Sequence, residues 1–159
     1  MPDPIFRRIT VAIDGSANGR AALDTAIDLA RRYDASLFVI SIAPLVPVYV
    51  TAAEPYLPAT VPESEVAHYR QIVGAAIHQA EVAGVKSVSG VCDEGVVVDE
   101  ILTHLEHHPT DLLVVGSRGL SAARRLLLGS VSSALVNHAP CPVLVVRPSP
   151  PTKPSSPSS

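Results

Sequence analysis

The chain predicts a doubly wound α/β fold, a five-stranded parallel sheet with helices on both faces. Short apolar runs alternate with segments of helical periodicity in the order β-α-β-α-β-α-β-α-β. The runs are mostly apolar rather than alternating, as strands covered on both faces are. A glycine-rich stretch follows the fourth run, at a strand exit, where such sheets place their ligands.

Each element has its own justification. Residues 8–13 form a short apolar strand, broken by Asp14-Gly15-Ser16. Over residues 16–33, Ala22, Leu23, Ala26, Ile27 and Ala30 make a helical stripe, with Asp24, Thr25, Asp28, Arg31 and Arg32 opposite. Residues 36–42 form a second, apolar and central strand. Between residues 43 and 62, Pro44, Pro47, Pro55, Pro58 and Pro62 exclude regular structure. A loop this long inside a compact domain is functional or mobile. Residues 63–83 form the longest helix, ended by Gly84. A strand over 87–92 and a helix over 97–107, stopped by Pro109, follow. Residues 112–115 are the fourth strand, 130–137 a short helix with Pro140 past its end, and 142–146 the last strand.

The 159 residues divide into one folded domain, 1–147, and a Pro/Ser-rich tail, 148–159, whose composition predicts disorder. The net charge is −3, and no basic stripe is interleaved with aromatics, so nucleic acid is not an expected partner. No apolar run reaches the length of a membrane span. Pro2, Asp3 and Pro4 precede only Ile5-Phe6 before Arg7-Arg8, which is not the core of a signal peptide. Cys92 and Cys141 are far apart, lie in or beside apolar runs and have no metal-ligand spacing. Buried reduced thiols of this kind suit the cytoplasm.

The stretch 114–130, V-V-G-S-R-G-L-S-A-A-R-R-L-L-L-G-S, carries most of the functional information. Gly116, Gly119 and Gly129 allow sharp turns and close approach of backbone to a ligand. Ser130 opens a helix, whose first N–H groups and dipole favour an anion. Together these are the parts of a phosphate site. The stretch is not a Walker loop, because G-x-x-x-x-G-K-[ST] is absent. The first turn is D-G-S, not G-x-G-x-x-G, which disfavours a dinucleotide site. No G-x-S-x-G elbow supplies a hydrolase nucleophile, and no S-G-G-x-D-S run follows the first strand.

The spacing that fits is G-x-x-G, nine residues, then G-[ST]: Gly116-Ser117-Arg118-Gly119, residues 120–128, Gly129-Ser130. With V-A-I-D-G-S at 11–16, G-V-V-V-D-E-I-L at 95–102 and A-P-C-P-V-L-V-V at 139–146, it resembles the ATP-binding subgroup of the universal stress protein family over residues 5–147. The resemblance implies a Rossmann-like sheet with an adenine-nucleotide pocket at its carboxyl edge. Asp14 would accept from ribose hydroxyls, with Ala12 and Ile42 lining the adenine slot beside Ile13, and Ile42 offering backbone groups to the base. Val115 and Gly116 would pass beneath ribose and phosphates, and Gly119 and Gly129 would let the backbone close on the phosphates. Ser130, Val131 and Ser132 would supply donors at the helix start. ATP would bring Mg²⁺ with it rather than find a protein cage. The family pattern also implies homodimers through the strand Val143–Val146, an apolar run near the chain end. Ser41 departs from the pattern, which commonly has histidine there.

Each signal has a plainer reading. Asp14 can be a turn residue or cap, and Ser130 an N-cap. Arg118, between the first two glycines, would neutralise phosphate charge if it faces inward, whereas Arg124 and Arg125 serve equally as surface charge. His104, His107 and His108 have spacing for one helix face, but no cluster completes a metal site, and a solvated helix end is expected. No general base or nucleophile is placed for rapid turnover. The expected function is an ATP-binding stress-response regulator acting through nucleotide-dependent association in the cytoplasm. The alternatives are a slow ATPase or autophosphorylating enzyme, with Ser130 or Ser132 as acceptor, and an adaptor dimer holding another adenine nucleotide such as cyclic AMP.

Overall fold

The computed structural model describes residues 3–45, 60–118 and 128–149. Five strands, β1 (Arg8–Ala12), β2 (Ser36–Pro44), β3 (Val88–Gly95), β4 (Leu112–Gly116) and β5 (Val143–Val146), form one sheet in the order β3-β2-β1-β4-β5. Every neighbouring pair is parallel. Four helices connect them: α1 (Ala17–Tyr33), α2 (Glu63–Val82), α3 (Val97–His107) and α4 (Ser130–His138). The fold is the doubly wound α/β class expected from the alternation.

Strand alternation assigns side chains to two layers. Ile9, Val11, Leu37, Val39, Leu112 and Val114 pack with Ala22, Leu23, Ala26 and Ile27 of α1 and with Val73, Ala76 and Ala80 of α2. Ile40, Ile42, Leu113 and Val115 pack on the opposite face with Ile101 and Leu105 of α3 and Leu135 of α4. Both faces of β4 are therefore covered, which is why its sequence is an unbroken apolar run. Each buried Val, Leu or Ile contributes roughly 1.5–3 kcal/mol by leaving water. The amino ends of β1 and β4 are joined by Asp111, whose carboxylate accepts from the Arg7 and Arg8 N–H groups at 3.0 and 2.8 Å and from the Arg8 guanidinium at 2.9 Å.

The strand order reverses at β1 and β4. From β1 the chain winds out through β2 to β3, then returns to β4 and winds out to β5. Connections leave β1 and β4 in opposite directions, and a crevice forms between their carboxyl ends. The loop Asp14-Gly15-Ser16 leaves one side of it, and Gly116-Ser117-Arg118 leaves the other.

One expectation is corrected. Regular structure extends to Pro44, two residues into the segment from which prolines were to exclude it, and β3 extends with it to Gly95. The Leu45 N–H bonds the Gly95 carbonyl at 3.1 Å. Odd-numbered residues of β2 bond β3, so the nitrogen of Pro44 faces β1, which has already left the sheet. A missing N–H loses no ladder bond there. The remainder of that segment, residues 46–59, lies outside the described residues, as does the tail from residue 150.

Candidate functional site

The first side of the crevice is built by β1 and α1. The Asp14 carboxylate accepts from the Ser16 N–H at 3.0 Å, a turn closed by the side chain. Ser16 then caps α1, its hydroxyl accepting from the Gly19 N–H at 3.0 Å. Gly15 holds φ at +82°, the left-handed region, with Ile72 of α2 packed where a side chain would begin. The turn role expected as the plainer reading of Asp14 is thus present, and it fixes the carboxylate at the strand exit. Tyr69 lies buried on α2 beside Ala43 and Val66. Burial, and then the negative charge of Asp14, push its phenol above the ordinary value, so it remains protonated.

The second side is built by β4 and α4, and Ser117 is its hub. Its N–H bonds the Val146 carbonyl at 2.8 Å. Its carbonyl accepts from the Gly129 N–H at 2.8 Å and from the Ser132 hydroxyl at 2.9 Å. Its own hydroxyl donates to Asn18 Oδ1 at 2.8 Å. Gly129, the residue before α4, therefore lies beside the end of β4. Ser117 and Asn18 join the two sides of the crevice.

The glycines have different reasons. A Cβ on Gly116 would lie 2.8 Å from the backbone carbonyl of Asn18, so this glycine lets α1 lie against the end of β4. Gly129 is the residue preceding α4, with φ −61° and ψ 162°, a conformation any residue adopts. A Cβ there would meet its neighbours at 3.4 Å or more, ordinary contact. Among the described residues nothing requires a glycine at 129. Its effect is to leave α4 without a side-chain cap, and no acidic residue stands in the first turn.

Ser130 is the first helical residue rather than the cap, and it is exposed. Val131 is 37% exposed and Ser132 is 3% exposed. The Ser132 hydroxyl is directed to Ser117 and Gly129. Arg118 is half-buried, with its Cα 3.4 Å from the point where a Gly129 Cβ would sit. Ala12 and Val115 are register partners, and both pack in the same layer as Ile42. Ile13 sits on the opposite layer, its N–H bonding the Ile40 carbonyl at 3.0 Å. Gly119, Arg124 and Arg125 lie outside the described residues.

Sequence reasoning missed Asn18 and the full role of Ser117. A polar residue in the first turn of a helix carries no signal for a partner 99 positions away. His107 and His108 are exposed, as a solvated helix end requires, but His104 is half-buried. The His104 ring stacks on Phe38 at 4.5 Å and on His108 at 4.2 Å. The third ring, His107, bonds its own helix through the Thr103 carbonyl at 2.7 Å. Burial, and then His108, hold the His104 imidazole below its ordinary value, with Asp93 opposing. The described residues contain no group of three His, Cys, Asp or Glu placed to hold a metal ion. No helix among them is long and apolar enough to cross a membrane.

A parallel sheet with its crevice at the point of reversal, framed by an aspartate turn and an uncapped helix start, defines a doubly wound α/β domain. The chain belongs to the universal stress protein family, whose model matches residues 5–147. It is 33% identical over 151 residues to universal stress protein YxiE of Bacillus subtilis, covering 90% of this chain and all of that one. Its fold is similar to that of universal stress protein UspA from Lactobacillus plantarum, with TM-score 0.78, 26% identity, and coverage of 89% of this chain and 98% of that one. A universal stress protein in complex with cAMP is also similar, with TM-score 0.67, 26% identity, and coverage of 89% and 97%.

Proposed function

We propose that this protein binds an adenine nucleotide, ATP accompanied by Mg²⁺, in the crevice between β1 and β4, and that it regulates a stress response through nucleotide-dependent association. The observation that carries the reading is the start of α4. A helix that begins at a glycine no described neighbour requires, with no side-chain cap, presents N–H donors and a positive dipole end to an anion. The crevice at the sheet's point of reversal supplies the place for the rest of the nucleotide.

In this reading the residues divide by chemistry. Gly129, Ser130 and Val131 hold the phosphates through backbone N–H groups, and Ser132 adds its N–H, since its hydroxyl is directed elsewhere. Arg118 offsets phosphate charge, and Gly119 belongs to the same loop. Asp14 takes the ribose hydroxyls, while Ala12, Ile13, Ile42, Val115 and Gly116 form the walls beside the base and sugar. Mg²⁺ enters with the triphosphate, whose oxygens are its principal ligands. Association uses β5, which lies at an edge of the sheet with Leu144 36% exposed. The protein works in the cytoplasm, where Cys92 and Cys141 remain free thiols.

A second reading, with cyclic AMP as the ligand, is supported by the relative whose structure is a complex with cAMP. Calorimetric titration with Mg-ATP, AMP and cyclic AMP separates the two. Tight ATP binding that weakens at least about tenfold on truncation to AMP corresponds to roughly 1.4 kcal/mol from the outer phosphates and supports the first reading. Preference for cyclic AMP supports the second. Absence of binding by all three rejects both.

A further inference from the structure

Ser41 lies in the middle of the sheet and is 1% exposed, among the most buried side chains of the protein. Its hydroxyl donates to the Ile13 carbonyl at 2.6 Å. That acceptor sits where β1 leaves β2, one residue before Asp14. The register aligns Ala12 with Ile40, and the last backbone bond between the strands runs from the Ile13 N–H to the Ile40 carbonyl. In a parallel ladder the next bond would run from the Ile42 N–H to the Ile13 carbonyl. No such backbone bond is present among the described residues, and the Ser41 hydroxyl occupies that acceptor instead.

We infer that Ser41 is a positioning residue for the nucleoside half of the site. A buried carbonyl needs a partner, and without the serine the donor that the ladder pattern offers is the Ile42 N–H. Removing the hydroxyl therefore favours one further rung between β1 and β2. That rung would draw the Ile13–Asp14 peptide toward β2, turn the Ile42 N–H away from the crevice and shift the Asp14 carboxylate. Ser41 satisfies the carbonyl from the side and allows the strands to separate a residue early. It touches no ligand, and it acts through the positions of Asp14 and Ile42. The start of α4, on the far side of β1 and β4, is not involved.

This inference rests on the adenine-nucleotide reading, and one experiment separates the two. Affinities for ATP and GTP are measured for the wild-type chain, Ser41→Ala and Ser41→Thr, and amide hydrogen exchange is followed in the ligand-free proteins. The expected result for Ser41→Ala is an ATP affinity lower by about tenfold, the order of one lost hydrogen bond. GTP shares the phosphate and ribose contacts but not the adenine contact of Ile42, so it weakens less, and the preference for ATP shrinks. The Ile42 amide becomes more protected without ligand, and Ser41→Thr restores both values. Should the alanine variant fail to fold, Ser41→Cys, of similar volume with a weaker donor, shows the same loss of preference to a smaller degree. Equal weakening of ATP and GTP, or an unchanged Ile42 amide, overturns the role of Ser41 and leaves nucleotide binding intact. A wild-type chain that binds neither nucleotide, or does not favour ATP over GTP, overturns the inference through the reading beneath it.

Discussion

The starts of α1 and α4 face the same crevice from the two strands at which the sheet reverses, yet they are finished in opposite ways. At α1 the chain closes its own helix end: Ser16 accepts from the Gly19 N–H, and Asp14 accepts from the Ser16 N–H. At α4 a glycine stands where the cap would be, and among the described residues no side-chain cap bond is made. Sterics among the described residues do not explain the difference, since Gly129 has ordinary dihedrals and its described neighbours leave room for a Cβ. A helix end left open beside a closed one identifies the half of the crevice suited to an anion. The closed end instead fixes a carboxylate in position.

The largest effect follows from the glycine that the fold does require. Gly116→Val places a branched side chain against the Asn18 backbone, where a Cβ already lies at 2.8 Å. We expect a loss of about 3 kcal/mol or more in urea unfolding, with α1 displaced and nucleotide binding lost along with it. A near-normal unfolding midpoint would show that the two sides of the crevice are not packed as described.

A pair of substitutions breaks the comparison at both helix ends. Gly129→Asp installs the missing cap and a negative charge. Stability should rise by about 0.5 kcal/mol while ATP affinity falls by about tenfold or more, because the carboxylate competes for the same donors. Ser16→Ala removes the existing cap and should cost about 1 kcal/mol, with ATP affinity changed by less than about twofold. Thermal unfolding paired with calorimetry reads both. Gly129→Asp with full ATP affinity would move the phosphate site away from α4.

The smallest effects lie at the opposite end of the sheet and sharpen the contrast by leaving the crevice alone. Burial keeps the His104 imidazole below its unfolded value of 6.5. Stability from the neutral stack is therefore full above that value and declines as pH falls from there through the folded value. The Arg8 guanidinium keeps the Asp111 carboxyl below its ordinary value, so its contribution is lost at lower pH still, as pH falls through the folded value. His104→Phe should preserve the stack on Phe38 and remove the decline that begins below pH 6.5. Asp111→Asn should remove the more acidic one. Neither should alter ATP affinity at neutral pH. An unchanged pH–stability profile in His104→Phe would deny the histidine its place in that stack.

Much of the fold was legible because local pattern and tertiary role agree. The stripe of Ala22, Leu23, Ala26, Ile27 and Ala30 is the buried face of α1, and the apolar run before Gly116 is a strand covered on both sides. Pro44 was misread because the effect of a proline depends on which neighbour its nitrogen would face, and that is a matter of sheet order. His104 was misread for a related reason: Phe38, 66 positions away, supplies the surface on which its imidazole stacks.

The candidate site divides along the same line. The sequence by itself determined the order of elements, the glycine-rich exit of β4 and the membership of the family, because these rest on local spacing and on residues contiguous in the chain. Only the tertiary structure decided that Gly116 serves helix packing while Gly129 is required by no described neighbour, that Ser117 ties α1, α4 and β5 together, and that Ser41 takes the place of a ladder bond. Those assignments depend on which atoms lie within about 3 Å across separate elements, the range of a hydrogen bond or a steric clash. A one-dimensional pattern carries no record of those distances.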